Sequence, residues 1–233
     1  MTTQRPTAKA SGRAVKSAEE QAGSMPERRP QAQRSAETRA KLIEAAISCL
    51  HRAGYSATAA TMVANEAKVS RGAMSHQYPT KTDLMLAVVQ AVYEQDAEHY
   101  RRTIASTPPA QWLVDLPSTM WDVISKPSGT AVMEIMLASR SDPDLAGKLC
   151  AMQNAIDIRA HHWIEQRIVD IGLKDRPDGE AIHRLFVSAV RGISLEALFR
   201  RDPEGVKNSV ALLGEIIQLL YPALKKKLPK SRK

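Results

Sequence analysis

Apolar residues recur at helical spacing along most of this 233-residue chain. Within residues 36–53 they fall at i, i+3 and i+4 positions, which predicts an amphipathic helix with one buried face. Ser35 can cap the start of this helix and Gly54 can end it. Prolines and glycines divide the pattern that follows into further predicted helices. These span about residues 80–106, 109–125, 128–140, 143–171, 178–200 and 204–221.

Two short helices are predicted within residues 58–84. Residues 61–67 place apolar side chains at helical spacing, and Lys68 and Val69 form a turn after them. Ser70 is a good N-cap for the next helix, because its hydroxyl can accept a free backbone N–H of the first turn.

The second of these helices, at residues 71–77, begins with polar residues and has Met74 as its one strongly apolar side chain. A helix this short is not stable alone, so Met74 should point inward and pack on the neighbouring helices. The other faces of the helix would then be available to a binding partner. A polar, cationic N-terminal end suits a recognition helix in the DNA major groove, and helix N-termini favour anions. The pattern alone fits an ordinary helical hairpin equally well, with Ser70 as a plain cap.

Charge is segregated along the chain. Residues 1–82 hold 13 Lys and Arg against 6 Asp and Glu, whereas residues 83–224 hold 14 against 19. Residues 225–233 hold 6 basic residues and no acidic one. This distribution favours a polyanionic partner for the ends of the chain. Residues 1–34 have almost no large apolar side chains and are predicted to be a disordered basic tail.

Composition narrows the fold class and the compartment. Aromatic residues are scarce and Ala, Leu, Ile and Met are plentiful, which favours an all-α fold. No apolar run approaches the roughly 20 residues that span a bilayer, and no signal-peptide pattern is present. Cys49 and Cys150 lie in helical patterns and are expected to be reduced thiols. We therefore expect a cytoplasmic protein without a membrane partner.

The order and spacing of residues 37–85 resemble the DNA-binding domain of the TetR family of bacterial transcriptional repressors. The matching residues are Thr38, Arg39, Ile43, Ala45, Ala46, Gly54, Tyr55, Thr58, Ala67, Val69, Ser70, Gly72, His76, Tyr78, Lys81 and Leu84. The resemblance implies a homodimeric, all-helical repressor with a helix-turn-helix domain at about 35–82. A larger domain at about 83–224 would bind a small molecule and form the dimer, followed by a basic tail at 225–233.

The resemblance also implies a set of DNA contacts. The residues expected to face the bases are Ser70, Arg71, Ala73, Ser75 and His76. The residues expected to hold phosphates are Thr58, Thr61, Tyr78 and Lys81. Gly72 lacks bulk and would let the backbone approach the phosphates. Base contacts specify the operator and phosphate contacts position the protein on it.

Three residues depart from the family pattern. Lys68 stands where Gly is usual, and a left-handed conformation there would cost about 1 kcal/mol. Ser75 replaces a usual Tyr, which removes an aromatic phosphate contact. Ala59 stands where a Thr usually caps the second helix. These departures affect the expected affinity and operator sequence rather than the fold.

The last two predicted helices are apolar on more than one face, so each needs two partners. One partner can be the chain's own core, and the other can be the same helices of a second subunit in an isologous four-helix interface. The predicted interface residues are Leu185, Ile193, Leu198, Leu213, Ile216 and Leu220. Complete burial within one subunit is the alternative. A two-fold dimer would place two recognition helices on half-sites about 34–36 Å apart.

Met and Trp residues between 109 and 171 can line an adaptable apolar cavity, although each can equally fill a core. The predicted pocket residues are Trp112, Leu116, Met120, Trp121, Met133, Met136 and Trp163. His161 and Glu165 lie at i, i+4 and give only a weak metal signal, so no metal or cofactor is predicted. No phosphate loop, HExxH motif or nucleophile elbow is present, and no catalytic residue is predicted.

The sequence thus predicts a repressor that binds a palindromic double-stranded operator as a homodimer and is released when a small molecule shifts helix 80–106. Two alternatives remain. One is a constitutive or architectural DNA-binding protein without an effector, which relies on its basic tails. The other is an all-helical enzyme or carrier that uses the Met and Trp cavity.

Overall fold

The computed structural model describes residues 31–228 except Pro109 and Asp175. The first 30 residues of the predicted tail at 1–34 and the last five residues of the chain lie outside this described range. Within it the chain is helical and has no strand. The predicted all-α fold with an N-terminal helix-turn-helix is confirmed.

Ten α-helices and two 3-10 turns make up the described chain. The helices are α1 (Gln31–Ala57), α2 (Ala60–Glu66), α3 (Arg71–Gln77), α4 (Lys81–Ser106), α5 (Gln111–Val114), α6 (Leu116–Ile124), α7 (Pro127–Ala138), α8 (Pro143–Asp170), α9 (Gly179–Ala197) and α10 (Pro203–Leu220). The 3-10 turns are Ser139–Ser141 and Pro222–Lys226. None of the described helices is long and apolar enough to cross a membrane.

The first helix starts earlier than predicted. It begins at Gln31, so Ser35 lies inside it and the predicted cap at Ser35 is wrong. The predicted disorder is also wrong for residues 31–34, because Gln, Ala and Arg support a helix without any apolar pattern. Gly54 breaks the helix as predicted, with φ 75° and ψ 171°, and one further turn follows it.

The predicted helix at 109–125 is wrong as a single element. It is divided at Asp115, which ends α5 and precedes α6. Pro117 lies in the first turn of α6, where a residue without an N–H costs nothing. At the other end of the chain, residues 225 and 226 belong to a 3-10 turn whose Leu224 is fully buried, so the predicted tail is partly ordered.

One hydrophobic core joins α1, α2 and α3 to the first half of α4. Its fully buried members include Leu42, Leu50, Val63, Met74, Leu84, Met85 and Val88. The same core continues into α7 and α8 through Ile135 and Leu145. Packing is therefore continuous across the predicted domain boundary at residues 82–83, and α3 packs on this shared core.

A second core lies among the C-terminal helices. It includes Trp112, Leu113, Met120, Ile168, Phe186, Val190, Ile217, Tyr221 and Leu224. Gly214 makes this packing possible, since a Cβ there would lie 2.8 Å from the Val114 carbonyl oxygen. The second half of α4 runs beside this core, with Tyr100 and Ile104 packed against it.

Candidate nucleic-acid interface and internal cavity

Local hydrogen bonds form the helix-turn-helix. The Ser70 hydroxyl accepts the Ala73 N–H at 3.1 Å, and Met74 is 2% exposed, so the predicted cap and the predicted inward side chain are both confirmed. Lys68 adopts the left-handed conformation at φ 55°, and the Val69 N–H donates to the Ala64 carbonyl at 3.0 Å. The turn thus has the backbone geometry that usually favours Gly, at a cost of about 1 kcal/mol for Lys68.

The outer face of α3 is open to solvent. Ser70, Arg71, Gly72, Ser75 and His76 are exposed, and Ala73 is half-buried beside them. A Cβ added at Gly72 would meet only the Ser70 hydroxyl, at 4.0 Å. Thr61 on α2 is also exposed. The exposed residues among 70–76 share the outer side of this short helix, and we call this surface the α3 face.

Two residues that were predicted to bind phosphates are less accessible than this role requires. Thr58 is 1% exposed and its hydroxyl donates to the Gly54 carbonyl at 2.7 Å, so its predicted phosphate contact is corrected to a structural role at the end of α1. Tyr78 is half-buried against the first core, and burial raises the pKa of its phenol while the nearby Arg39 opposes the rise.

The end of α3 is attached to α1 by hydrogen bonds between side chains that were not among the predicted site residues. The Gln77 amide accepts from Arg39 Nε at 2.8 Å and donates to the Ser35 hydroxyl at 2.9 Å. On α2, the Glu66 carboxylate accepts from Arg52 at 3.1 Å and from Ser48 at 3.2 Å. Both short helices are thus oriented by polar contacts to α1 as well as by the core.

We call α1, α2 and α3 the three-helix unit. Tyr55 connects this unit to the C-terminal helices. Its backbone N–H donates to Glu134 Oε2 at 2.9 Å, and its carbonyl accepts from Lys81 Nζ at 2.7 Å. The Lys81 ammonium also lies 3.9 Å from the centroid of the Tyr55 ring. The Tyr55 hydroxyl reaches Asp142, the N-cap of α8, at 3.5 Å.

A cavity of about 560 Å³ lies between α4, α6, α8 and α9. Leu116, Met120 and Trp163 line it, as predicted. Four other predicted pocket residues do not line it: Trp112, Trp121, Met133 and Met136. Trp112 is 4% exposed within the second core, Trp121 faces a separate cleft beside α10, and Met136 packs on the first core.

The cavity has polar groups that the Met and Trp pattern did not reveal. Arg191 Nη2 donates to the Tyr93 hydroxyl at 2.9 Å, and that hydroxyl donates to Gln153 Oε1 at 2.8 Å. The Gln153 amide in turn donates to Asp157 at 2.8 Å. This hydrogen-bond chain joins α9, α4 and α8. Among the described residues of α4 that line the cavity, Tyr93 alone is hydrogen-bonded to another helix.

Burial shifts the pKa of other cavity residues. Desolvation raises the pKa of Asp96 to about 6, although the charge of Lys126 opposes the rise. Desolvation also lowers the pKa of His183, whose ring stacks on His161 with the centroids 6.4 Å apart. The cavity therefore combines apolar walls with a desolvated carboxyl, an imidazole and the Arg191 guanidinium.

His161 and Glu165, which gave only a weak metal signal in the sequence, are not joined by a third possible ligand among the described residues. Within the part of the chain that the structure describes, no set of three His, Cys, Asp or Glu side chains could hold a metal ion. Glu165 instead lies 3.7 Å from His162 Nδ1.

The outer faces of α9 and α10 expose large apolar side chains. Of the predicted interface residues, Leu185 and Leu198 are 64% and 55% exposed. The other four are half-buried: Ile193, Leu213, Ile216 and Leu220. The same region exposes further apolar side chains that were not in the predicted interface: Leu195, Phe199, Leu212 and Leu219. A single subunit thus leaves an uncovered apolar surface on these helices.

Comparison with known proteins agrees with this architecture. The sequence profile of the family described as "Bacterial regulatory proteins, tetR family" matches residues 42–88. The HTH-type transcriptional regulator CymR of Pseudomonas putida is 33% identical over 184 residues, which cover 77% of this chain and 88% of that protein.

Two solved structures share the fold. A transcriptional regulator from Rhodococcus sp. Rha1 has a TM-score of 0.65 at 17% identity, covering 78% of this chain and 97% of its own. The multidrug binding protein EbrR, solved with imidazole, has a TM-score of 0.53 at 22% identity, covering 84% and 98%. The helix-turn-helix, the helical C-terminal part and the similarity to CymR over most of both chains confirm the resemblance, and the chain belongs to the tetR family of bacterial transcriptional regulators.

Proposed function

We propose that this regulator is a repressor which binds a palindromic operator as a homodimer and is released by a small molecule in the cavity between α4, α6, α8 and α9. The observation that carries the proposal is the continuity of α4. Its first half packs in the same core as α3, and its second half lines the cavity. A change at the cavity can therefore move the recognition helix as part of a rigid body.

The α3 face supplies the DNA contacts in this proposal. Arg71, Ser75 and His76 lie exposed on one helix, which the DNA major groove is wide enough to admit, and Ser70 lies at its N-terminal end. Ala73 and Gly72 leave room for close approach to the bases and the backbone. Exposed Thr61 and half-buried Tyr78 flank the helix and would position it on phosphates.

The uncovered apolar surface on α9 and α10 supports a homodimer. Leu185 and Phe199 are 64% and 71% exposed, and large apolar patches on a soluble chain mark interaction sites. Two copies related by a two-fold axis would bury the same surface of each subunit. This arrangement would present two α3 helices to half-sites about 34–36 Å apart.

The cavity supports a small-molecule effector. Its volume of about 560 Å³ and its apolar walls with few polar groups are typical of ligand sites. EbrR shares this fold and was solved with imidazole, which supports a small organic molecule as the effector class. An effector that binds one conformation of α4 100-fold better than the other would shift the equilibrium by about 2.7 kcal/mol.

The test is selection of an operator from a pool of random duplexes by the full-length protein. We expect an enriched palindrome, and we expect Arg71→Ala to weaken its binding by about 1–3 kcal/mol at fixed salt. Sedimentation should show that this variant keeps the oligomeric state of the unmodified protein. Unchanged affinity would remove Arg71 from the contact set, and enrichment of no duplex would contradict the proposal as a whole.

A further inference from the structure

Every polar group of Tyr55 is engaged within the chain. The N–H donates to Glu134, and the carbonyl accepts from both Lys81 and the Thr58 N–H, at 2.7 and 3.2 Å. The hydroxyl lies 3.5 Å from Asp142. A single residue at the end of α1 is thus held by side chains from three other helices or their caps.

These partners belong to the helices that continue to the cavity or pack beside it. Lys81 is the first residue of α4, and Asp142 caps α8, which lines the cavity from Ile156 onward. Tyr93 lies 12 residues after Lys81 along α4, which corresponds to about 18 Å of helix. Glu134 lies on α7, which packs along α1. The Tyr55 contacts are therefore the polar joint between the three-helix unit and the helices around the cavity.

Lys81 has two possible roles, which are a contact to a DNA phosphate and a contact to Tyr55. The family resemblance assigns it to a DNA phosphate, yet its ammonium lies on the Tyr55 carbonyl and over the Tyr55 ring. Burial lowers the pKa of Lys81, and the charge of Asp142 opposes that shift. Reaching out to a phosphate would require the ammonium to leave a site where both the carbonyl and the ring stabilise it.

We propose that Lys81 and Glu134 are positioning residues, which clamp the Tyr55 peptide from both sides and set the orientation of the three-helix unit on α7 and α8. In this role Lys81 does not contact a DNA phosphate. The inference rests on the proposed operator binding, because it concerns how the α3 face is presented to that operator.

Salt dependence separates the two roles of Lys81. A phosphate contact releases a condensed counterion. Removal of that contact reduces the magnitude of the negative slope of log affinity against log salt by about 1 per site, or about 2 for a dimer. A positioning residue leaves this slope unchanged and alters affinity only. Glu134 gives a second criterion, since removal of a negative charge should by itself strengthen binding to a polyanion.

The experiment measures operator affinity at several salt concentrations with the selected duplex and full-length protein. Lys81→Met keeps most of the side-chain stem and removes the ammonium, and Glu134→Ala removes the carboxylate. We expect both variants to raise the Kd three- to tenfold without changing the salt slope. Glu134→Gln retains an oxygen that can accept the Tyr55 N–H and should restore nearly full affinity.

Two further variants calibrate the measurement. Arg71→Gln, which removes a proposed base contact on the α3 face, should weaken operator binding, whereas Lys207→Met, exposed on α10, should change neither the affinity nor the salt slope. Thermal unfolding establishes that each variant is folded at the assay temperature. If Lys81→Met does not fold, the comparison of Glu134→Ala with Glu134→Gln decides the inference.

Three outcomes would overturn the inference while leaving the proposed function intact. These are a fall of about 2 in the slope for Lys81→Met, an unchanged Kd for that variant, and equal or tighter binding by Glu134→Ala. Selection of no duplex by the unmodified protein would instead overturn the proposed function, and this inference with it.

Discussion

Replacement of Gly54 by Ala tests the joint at Tyr55 through stability. Gly54 has φ 75° and ψ 171°, a conformation that is almost exclusive to glycine. A Cβ at this position would lie 3.1 Å from Glu134 Oε2, the oxygen that accepts the Tyr55 N–H. The substitution therefore strains the backbone and displaces the neighbouring carboxylate at once.

The expected loss follows from these two effects. Strain in this region of backbone conformation costs about 1–3 kcal/mol. Weakening of a hydrogen bond to a charged acceptor costs up to about 1.5–3 kcal/mol. Together they predict that Gly54→Ala lowers the free energy of unfolding by about 2.5–6 kcal/mol if this hydrogen bond is lost, a large part of the 5–15 kcal/mol that is typical of native proteins.

The assay is urea unfolding followed by circular dichroism at a constant protein concentration. Gly147→Ala is the matched control, because Gly147 lies within α8 and a Cβ there would meet nothing within 4 Å. The control should gain about 0.5–1 kcal/mol from the higher helix propensity of Ala. A loss below about 0.5 kcal/mol in Gly54→Ala would refute the reasoning, because the expected backbone strain at Gly54 would then be absent.

Three other outcomes are expected. Phe199→Asp should convert a dimer to monomers in sedimentation equilibrium, whereas Leu137→Asp, which is 63% exposed on α7, should not; equal effects would place the interface elsewhere. Folding raises the pKa of Asp96 from 3.8 to about 6, so its cost appears as the pH rises through that range. Asp96→Asn should thus add about 1–2 kcal/mol of stability above pH 6 and almost none near pH 3, and a gain independent of pH would contradict this. Ala97→Trp should fill the cavity and abolish thermal stabilisation by library compounds that stabilise the unmodified protein, with operator affinity retained; persistent stabilisation would show that they bind elsewhere.

Local rules predicted the elements that depend on neighbours within one helical turn. The Ser70 cap joins two residues three positions apart, and the inward Met74 follows from the polar and apolar pattern of the same short helix. The same rules failed at the start of α1, where a polar stretch has no apolar periodicity and Ser35 competes with good helix formers on both sides. Propensity then decided the boundary, and the pattern could not reveal it.

The cavity was only partly predictable because apolar periodicity does not distinguish a side chain in a core from one on a cavity wall. Met120 lines the cavity, whereas Trp112 on the preceding short helix packs inside the second core. The polar groups of the site come from distant parts of the chain: Tyr93 and Arg191 are 98 residues apart and meet in one hydrogen bond. Nothing in either local sequence marks that pairing.

The sequence by itself determined most of the helices, the family and the exposed face of α3, because these depend on short-range spacing and on which side chains avoid water. Only the tertiary structure decided which partners the long side chains take. It buried Thr58 against Gly54, placed Lys81 on Tyr55 and brought Arg191 to Tyr93. The physical reason is that a flexible polar side chain bonds whatever group the packing of other helices brings within about 3 Å, and its own neighbours in the sequence do not encode that group.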